Sequence, residues 1–208
     1  MNQRNYFIVS LNWIDVLTLG SLLLSSLGLL FAFQEALTLA IGFMLLSMFV
    51  DMIDGLIARR MKLESEFGKY LDSFCDTFTY ALLPLFILYQ FGMQDVLSLS
   101  AFFAYLSCGL LRLSRFNIIG TIEDEGVAYH VGLQVIWSHL LVVLAFPTWR
   151  WLGEWARYPL VIILFMMSIF MIRNLRFPKP TRYIFQTVII LSVTVIYFYL
   201  HFIGVHIP

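Results

Sequence analysis

The chain has 208 residues, of which 61% are hydrophobic and 12% charged, and its formal net charge is zero. A soluble domain carries about twice that charged fraction, so an ordinary soluble globular protein is excluded. With no net charge there is no global basic field for nucleic acid, and two cysteines, Cys75 and Cys108, deep in apolar sequence, do not make a disulfide framework.

Residues 1–10 mix polar and aromatic side chains and are read as a short interfacial helix. No apolar run with a small-residue cleavage site precedes the first long segment, so no removable signal peptide is expected. Seven apolar segments follow, at about 11–33, 36–53, 70–91, 96–113, 131–146, 158–172 and 183–202. A membrane-spanning helix needs about 20 residues. The shorter segments, the sixth above all, therefore need their polar flanks to complete a span. The expected fold class is all-α, a polytopic transmembrane helical bundle forming one body. The one long loop is expected at 114–130, with Glu123, Asp124 and Glu125 solvated in it.

Orientation follows from the basic residues. With the N-terminus cytoplasmic, Arg4, Arg59, Arg60, Lys62, Lys69, Arg112, Arg115, Arg173, Arg176, Lys179 and Arg182 fall inside. That is eleven of the thirteen, and only Arg150 and Arg157 fall outside. Trp149, Trp151 and Trp155 then sit in an outer loop, where aromatic belts occur.

Asp51, Asp54, Asp72 and Asp76 fall at the meeting ends of the second and third segments, near the cytoplasmic face. At about 100° per residue, Asp54 lies roughly 60° from Asp51 on one helix face. Gly55 and Ala58 share that face and Arg59 borders it. Gly68, Asp72 and Asp76 recur at every fourth residue, so two acidic stripes face each other across a short turn. Taken singly, each Asp could as well pair with Arg59, Arg60, Lys62 or Lys69. Four together, beside three small residues, favour a hard divalent cation with oxygen ligands, Mg²⁺ or Mn²⁺. Two such ions about 3.5–4 Å apart suit phosphoryl transfer.

The pattern Asp-x₂-Asp-Gly-x₂-Ala-Arg-x₈-Gly-x₃-Asp-x₃-Asp, complete over Asp51–Asp76, resembles the signature of the CDP-alcohol phosphotransferase family. The resemblance implies an integral membrane enzyme of six core helices within residues 1–182, with 183–208 an additional C-terminal transmembrane helix. It implies that Asp51, Asp54 and Asp72 ligate metal, and that Asp76 completes the site as general base. It further implies that Gly55, Ala58, Arg59 and Gly68, with Asp15 and Thr18 of the first helix, hold CDP. The site would lie at the cytoplasmic face of the cell membrane in a multi-pass protein, and family members tend to form homodimers.

Leu-Arg-Leu-Ser-Arg-Phe-Asn at 111–117, Leu71-Asp72-Ser73-Phe74 and Arg176-Phe177-Pro178 resemble the phosphatidylserine synthase branch of that family. The implied substrates are CDP-diacylglycerol and L-serine, with Arg112, Arg115 and Asn117 candidates for the acceptor. The chain departs from the branch's pattern in three places. Tyr80-Ala81-Leu82-Leu83-Pro84 follows the last Asp, Gly132-Leu133-Gln134 stands where Gly-Leu-Pro is usual, and Asp15 replaces an Asn. The alternatives are the same reaction with glycerol 3-phosphate or inositol phosphate, or a divalent-cation or proton-coupled transporter. His130 reads as a polar interfacial residue more readily than a phosphate contact. His139 either bonds a neighbouring helix or faces a cavity, and His201 and His206 sit at the outer interface.

Overall fold

The computed structural model describes residues 11–61, 65–124, 127–178 and 183–205. The expected interfacial helix at 1–10, together with Lys62, Glu125, Lys179, Arg182 and His206, lies outside the described residues.

The first helix, α1 (Trp13–Phe33), starts at a capping box. The Asn12 side chain accepts from the Ile14 and Asp15 amides, and Asp15 accepts from the Asn12 amide at 2.8 Å. Its buried face is small and polar, with Thr18, Ser21, Ser25 and Gly28, while Leu19, Leu23 and Leu30 are exposed. Lipid is as apolar as leucine, so helices in a membrane associate through small residues and hydrogen bonds rather than through leucine burial. Accordingly Ser47 of α2 (Leu37–Met61) donates to the Ser21 carbonyl at 2.8 Å, and Ser25 and Thr79 share a 3.0 Å hydrogen bond.

The third transmembrane stretch, Glu66–Gln90, is continuous but not uniform. It runs as α3 (Glu66–Asp76), a π-helical turn (Thr77–Leu82) and α4 (Leu83–Gln90). The next helix, α5 (Val96–Ile119), is capped by Asp95 and ends at Gly120. A hairpin of β1 (Ile122–Asp124) and β2 (Val127–Val131) then leads into α6 (Trp137–Leu152). A 3₁₀ turn, Gly153–Ala156, separates α6 from α7 (Arg157–Ile172). After β3 (Arg176–Pro178) the chain closes with α8 (Tyr183–Phe202).

Among the described residues, five stretches are long and apolar enough to cross a membrane: α1, α2, Glu66–Gln90, α5 and Trp137–Ile172. The last is interrupted at Gly153, whose φ of +55° breaks it into α6 and α7. The chain is an all-α, multi-pass membrane protein, and each expected apolar segment is a helix.

The expected loop at 114–130 is different. Its first third continues α5, and its last part is a hairpin that β3 extends to a three-stranded antiparallel sheet, with Tyr129 opposite Pro178 and Val131 opposite Arg176. Glu123 and Asp124 therefore belong to strand β1 rather than to a loop. Strands of three to five residues carry too little alternation to stand out in the sequence.

Two prolines inside helices show how the bundle is tied together. Proline has no N–H for the carbonyl four residues earlier, and an unpaired carbonyl in lipid costs several kcal/mol. Before Pro84, the Tyr80 carbonyl accepts from Ser138 Oγ at 2.6 Å and lies 3.5 Å from the Tyr105 hydroxyl. Before Pro147, the Val143 carbonyl accepts from the Tyr197 hydroxyl at 2.9 Å. The first contact fastens α6 to the π-helical turn, and the second fastens α8 to α6.

Candidate active site

Asp51 and Asp54 lie in the second half of α2, and Asp72 and Asp76 in the second half of α3. The Ser65 hydroxyl caps α3 by accepting from the Gly68 amide at 2.8 Å. A Cβ on Gly68 would stand 3.0 Å from Ser65 Oγ and 3.1 Å from Asp15 Oδ1. The missing side chain thus lets α3 begin against the first turn of α1.

Carboxylate oxygens of Asp51, Asp72 and Asp76 come within 4.8 Å of one another. Asp54 sits beside this trio, buried, and accepts from the Thr18 hydroxyl at 2.9 Å. The four expected acidic residues are therefore brought together as three plus one. Asp51 accepts from the Tyr80 hydroxyl at 2.7 Å. Tyr80 follows Asp72 and Asp76 at the same four-residue interval, a signal available in the sequence. The π-helical turn and the Ser138 contact fix its position.

The carboxylates open into a cavity of about 690 Å³. Arg112 lines it, its guanidinium carbon 5.6 Å from the Phe116 ring centroid and its Nε buried without a hydrogen-bond partner. Arg59 lines it from an exposed position, and Gly55 lies on the same wall. Arg115 and Asn117 are not among the lining residues: Arg115 is exposed, and Asn117 accepts from Ser73 Oγ at 2.9 Å. Asp15, Thr18, Ala58 and Gly68 likewise stand off the cavity wall. His139 faces the cavity, almost wholly buried, with its ring 4.7 Å from that of Tyr80.

Away from the carboxylates the wall turns apolar. Leu45 and Met48 of α2, Leu140 and Val143 of α6, and Ile190 and Val193 of α8 form it. Trp137, Leu140 and Ile189 line the cavity yet are 48%, 46% and 47% exposed, so it opens sideways between α6 and α8.

The donor set fits a divalent cation. Among the described residues no lysine or arginine comes within 4.0 Å of the four aspartates, and Asp76 Oδ1 is buried without a hydrogen bond. Converging carboxylates without a cation repel one another, and oxygen-only ligation suits Mg²⁺ or Mn²⁺.

The profile of the CDP-alcohol phosphatidyltransferase family matches residues 11–206. A Bacillus subtilis protein named CDP-diacylglycerol–serine O-phosphatidyltransferase is 28% identical over 134 residues, 63% of this chain and 73% of its own length. A Methanocaldococcus jannaschii protein of the same name is 29% identical over 140 residues, 67% of this chain and 64% of its own length. A Mesorhizobium japonicum phosphatidylcholine synthase is 29% identical over 160 residues, 72% of this chain and 55% of its own length.

Proposed function

The chain belongs to the CDP-alcohol phosphatidyltransferase family, and on that premise we propose that it transfers a phosphatidyl group from CDP-diacylglycerol to L-serine, releasing CMP. The observation that carries this reading is the convergence of Asp51, Asp72 and Asp76 within 4.8 Å at one end of a cavity whose other end is apolar and open between α6 and α8. A lipid diphosphate needs both ends, one for its charge and one for its acyl chains.

Asp51, Asp72 and Asp76, with Asp54 beside them, would hold one or two Mg²⁺ or Mn²⁺ ions, which supply positive charge to the diphosphate and to the charge that develops on it. The Tyr80 and Thr18 hydroxyls orient Asp51 and Asp54. The Asp76 carboxylate takes the proton of the serine hydroxyl. The serine oxygen bonds to the β-phosphorus, which carries diacylglycerol. The bond from that phosphorus to the bridging oxygen breaks, and CMP leaves with that oxygen.

Gly55 and Arg59, on the wall, receive the CDP moiety. Asp15, Thr18, Ala58 and Gly68 serve that same moiety from behind, by fitting α1 closely to α2 and α3. Arg112, with a free Nε on the wall, clamps the serine carboxylate. The basic side of the molecule, which carries these carboxylates, faces the cytoplasm at the cell membrane.

A second acceptor stays in view because one relative is named a phosphatidylcholine synthase. Acceptors that bear a phosphate fit less well, since Arg59 and Arg112 are the arginines on the wall among the described residues. The apolar wall of Leu45, Met48 and Val143 beyond the carboxylates also disfavours an ion path.

The test is CDP-diacylglycerol-dependent CMP release by the purified protein with Mg²⁺ or Mn²⁺, comparing serine, choline, glycerol 3-phosphate and inositol phosphate. Serine should be the best acceptor, and Asp76→Asn should lower turnover by about 10²–10⁴-fold. Full activity in that variant would remove Asp76 as the base, and no turnover with serine while another alcohol reacts would reject the acceptor.

A further inference from the structure

The backbone of the turn between β2 and α6 is held at each residue from Gly132 to Ile136, Gln134 included, whose carbonyl accepts from the Trp137 amide at 3.4 Å. The Gly132 amide donates to the Leu175 carbonyl at 2.9 Å, and the Leu133 amide to the Phe170 carbonyl at 3.0 Å. Gly132 has a φ of +78°, and a Cβ there would stand 2.2 Å from the Met171 carbonyl oxygen, so only glycine fits. The Val135 carbonyl accepts from the Tyr105 hydroxyl at 2.8 Å and from Ser138 Oγ at 3.0 Å. Ser138 also holds the Tyr80 carbonyl, which joins this turn to the residue that orients Asp51.

Between these fixed points stands Gln134. It is half-buried on the cavity wall, and its carboxamide makes no hydrogen bond among the described residues. A turn fastened on both sides holds that open amide in a fixed place on the cavity wall, where a ligand in the cavity meets it.

Resting on the acceptor reading above, we infer that Gln134 is a specificity-determining residue that reads the amino-acid part of the acceptor. A carboxamide both donates and accepts. Its oxygen accepts from a primary ammonium, and its N–H₂ donates to a carboxylate already held by Arg112. A trimethylammonium group has no N–H and no neighbouring carboxylate, so choline satisfies neither contact. A site that hydrogen-bonds a substrate group favours that substrate over the analogue that lacks the group, by the contacts the analogue forgoes. Gln134, standing where the resembling branch has proline, is thereby this chain's own means of separating serine from choline, the acceptor that the name of the phosphatidylcholine synthase relative points to.

The experiment uses the full-length protein in mixed micelles with CDP-diacylglycerol. Gln134→Leu should raise the KM for serine about tenfold or more, while the KM for CDP-diacylglycerol and the inhibition constant of choline against serine stay within about twofold. Gln134→Glu keeps the accepting oxygen but sets a negative charge beside the serine carboxylate. It should raise the KM for serine while improving inhibition by choline. An unchanged KM for serine in Gln134→Leu overturns the inference while leaving the reaction standing. A parallel rise in the KM for CDP-diacylglycerol overturns it too, by reducing Gln134 to a packing residue. A wild-type protein that releases no CMP with serine rejects the acceptor reading, and the role of Gln134 with it.

Discussion

The wall that α2 and α3 present to the cavity draws its polar groups from Asp51–Asp76, one short stretch of chain. The opposite wall is assembled from the β2–α6 turn, α6 and α8, which lie far apart in sequence. The first wall holds carboxylates at helical spacing; the second holds two amides, Gln134 and Gln186, the His139 ring and aliphatic side chains. Phosphoryl transfer needs charge at fixed distances, which two neighbouring helices provide locally. Distinguishing one acceptor from another, and accommodating acyl chains, depends on the shape between distant segments. Reaction and selectivity are thus placed on opposite sides of one cavity.

Three changes would break or sharpen that contrast. Arg112→Lys keeps the positive charge but loses the planar fork. It should lower kcat/KM for serine by about 10–100-fold with little change in the KM for CDP-diacylglycerol. If steady-state kinetics show both substrates equally affected, Arg112 belongs to the charged wall rather than to acceptor choice.

Val193→Trp on α8 crowds the apolar end. It should raise the KM for long-chain CDP-diacylglycerol about tenfold and that for a short-chain analogue much less. Equal kinetics for the two chain lengths would take the acyl chains away from α8.

Asp95→Ala, remote from both walls, is the control with the smallest effect. Hydrogen bonds from Ser98, backbone and hydroxyl, hold the Asp95 carboxyl below its ordinary value, and the Leu97 amide and nearby Arg157 add to this. A lowered folded value contributes stability above the ordinary carboxylate range, and this is lost as the pH falls through the folded value. The variant should lose about 1 kcal/mol at neutral pH and less at a pH well below the ordinary carboxylate range, with kcat/KM unchanged. Thermal unfolding in detergent at the two pH values checks this, and an equal loss at both would show that the cap does not act through its charge.

The acidic pattern was legible because helical spacing is local: residues three and four apart share a face whatever the rest of the chain does. Arg112 was named by resemblance, and the structure places it on the wall beside Phe116. Arg115 and Asn117 were equally prominent in the sequence, yet one is exposed and the other is tied to Ser73. A run of adjacent polar residues circles its helix, so only the packing of α5 decides which of them meets the cavity. Gln134 carried no signal beyond its departure from a resembling pattern, and the sheet that precedes it was too short to register.

By itself, then, the amino-acid sequence determined the membrane class, the number of apolar helices and the acidic stripes, because hydropathy and helical periodicity act over a few turns. Only the tertiary structure decided that three of the four aspartates converge while Thr18 takes the fourth. It also decided that Tyr80 orients Asp51 and that α8 walls the cavity. The prolines at 84 and 147 announce that two carbonyls lose their helical partners. Which hydroxyls replace those partners depends on how distant helices meet, and no local pattern contains that.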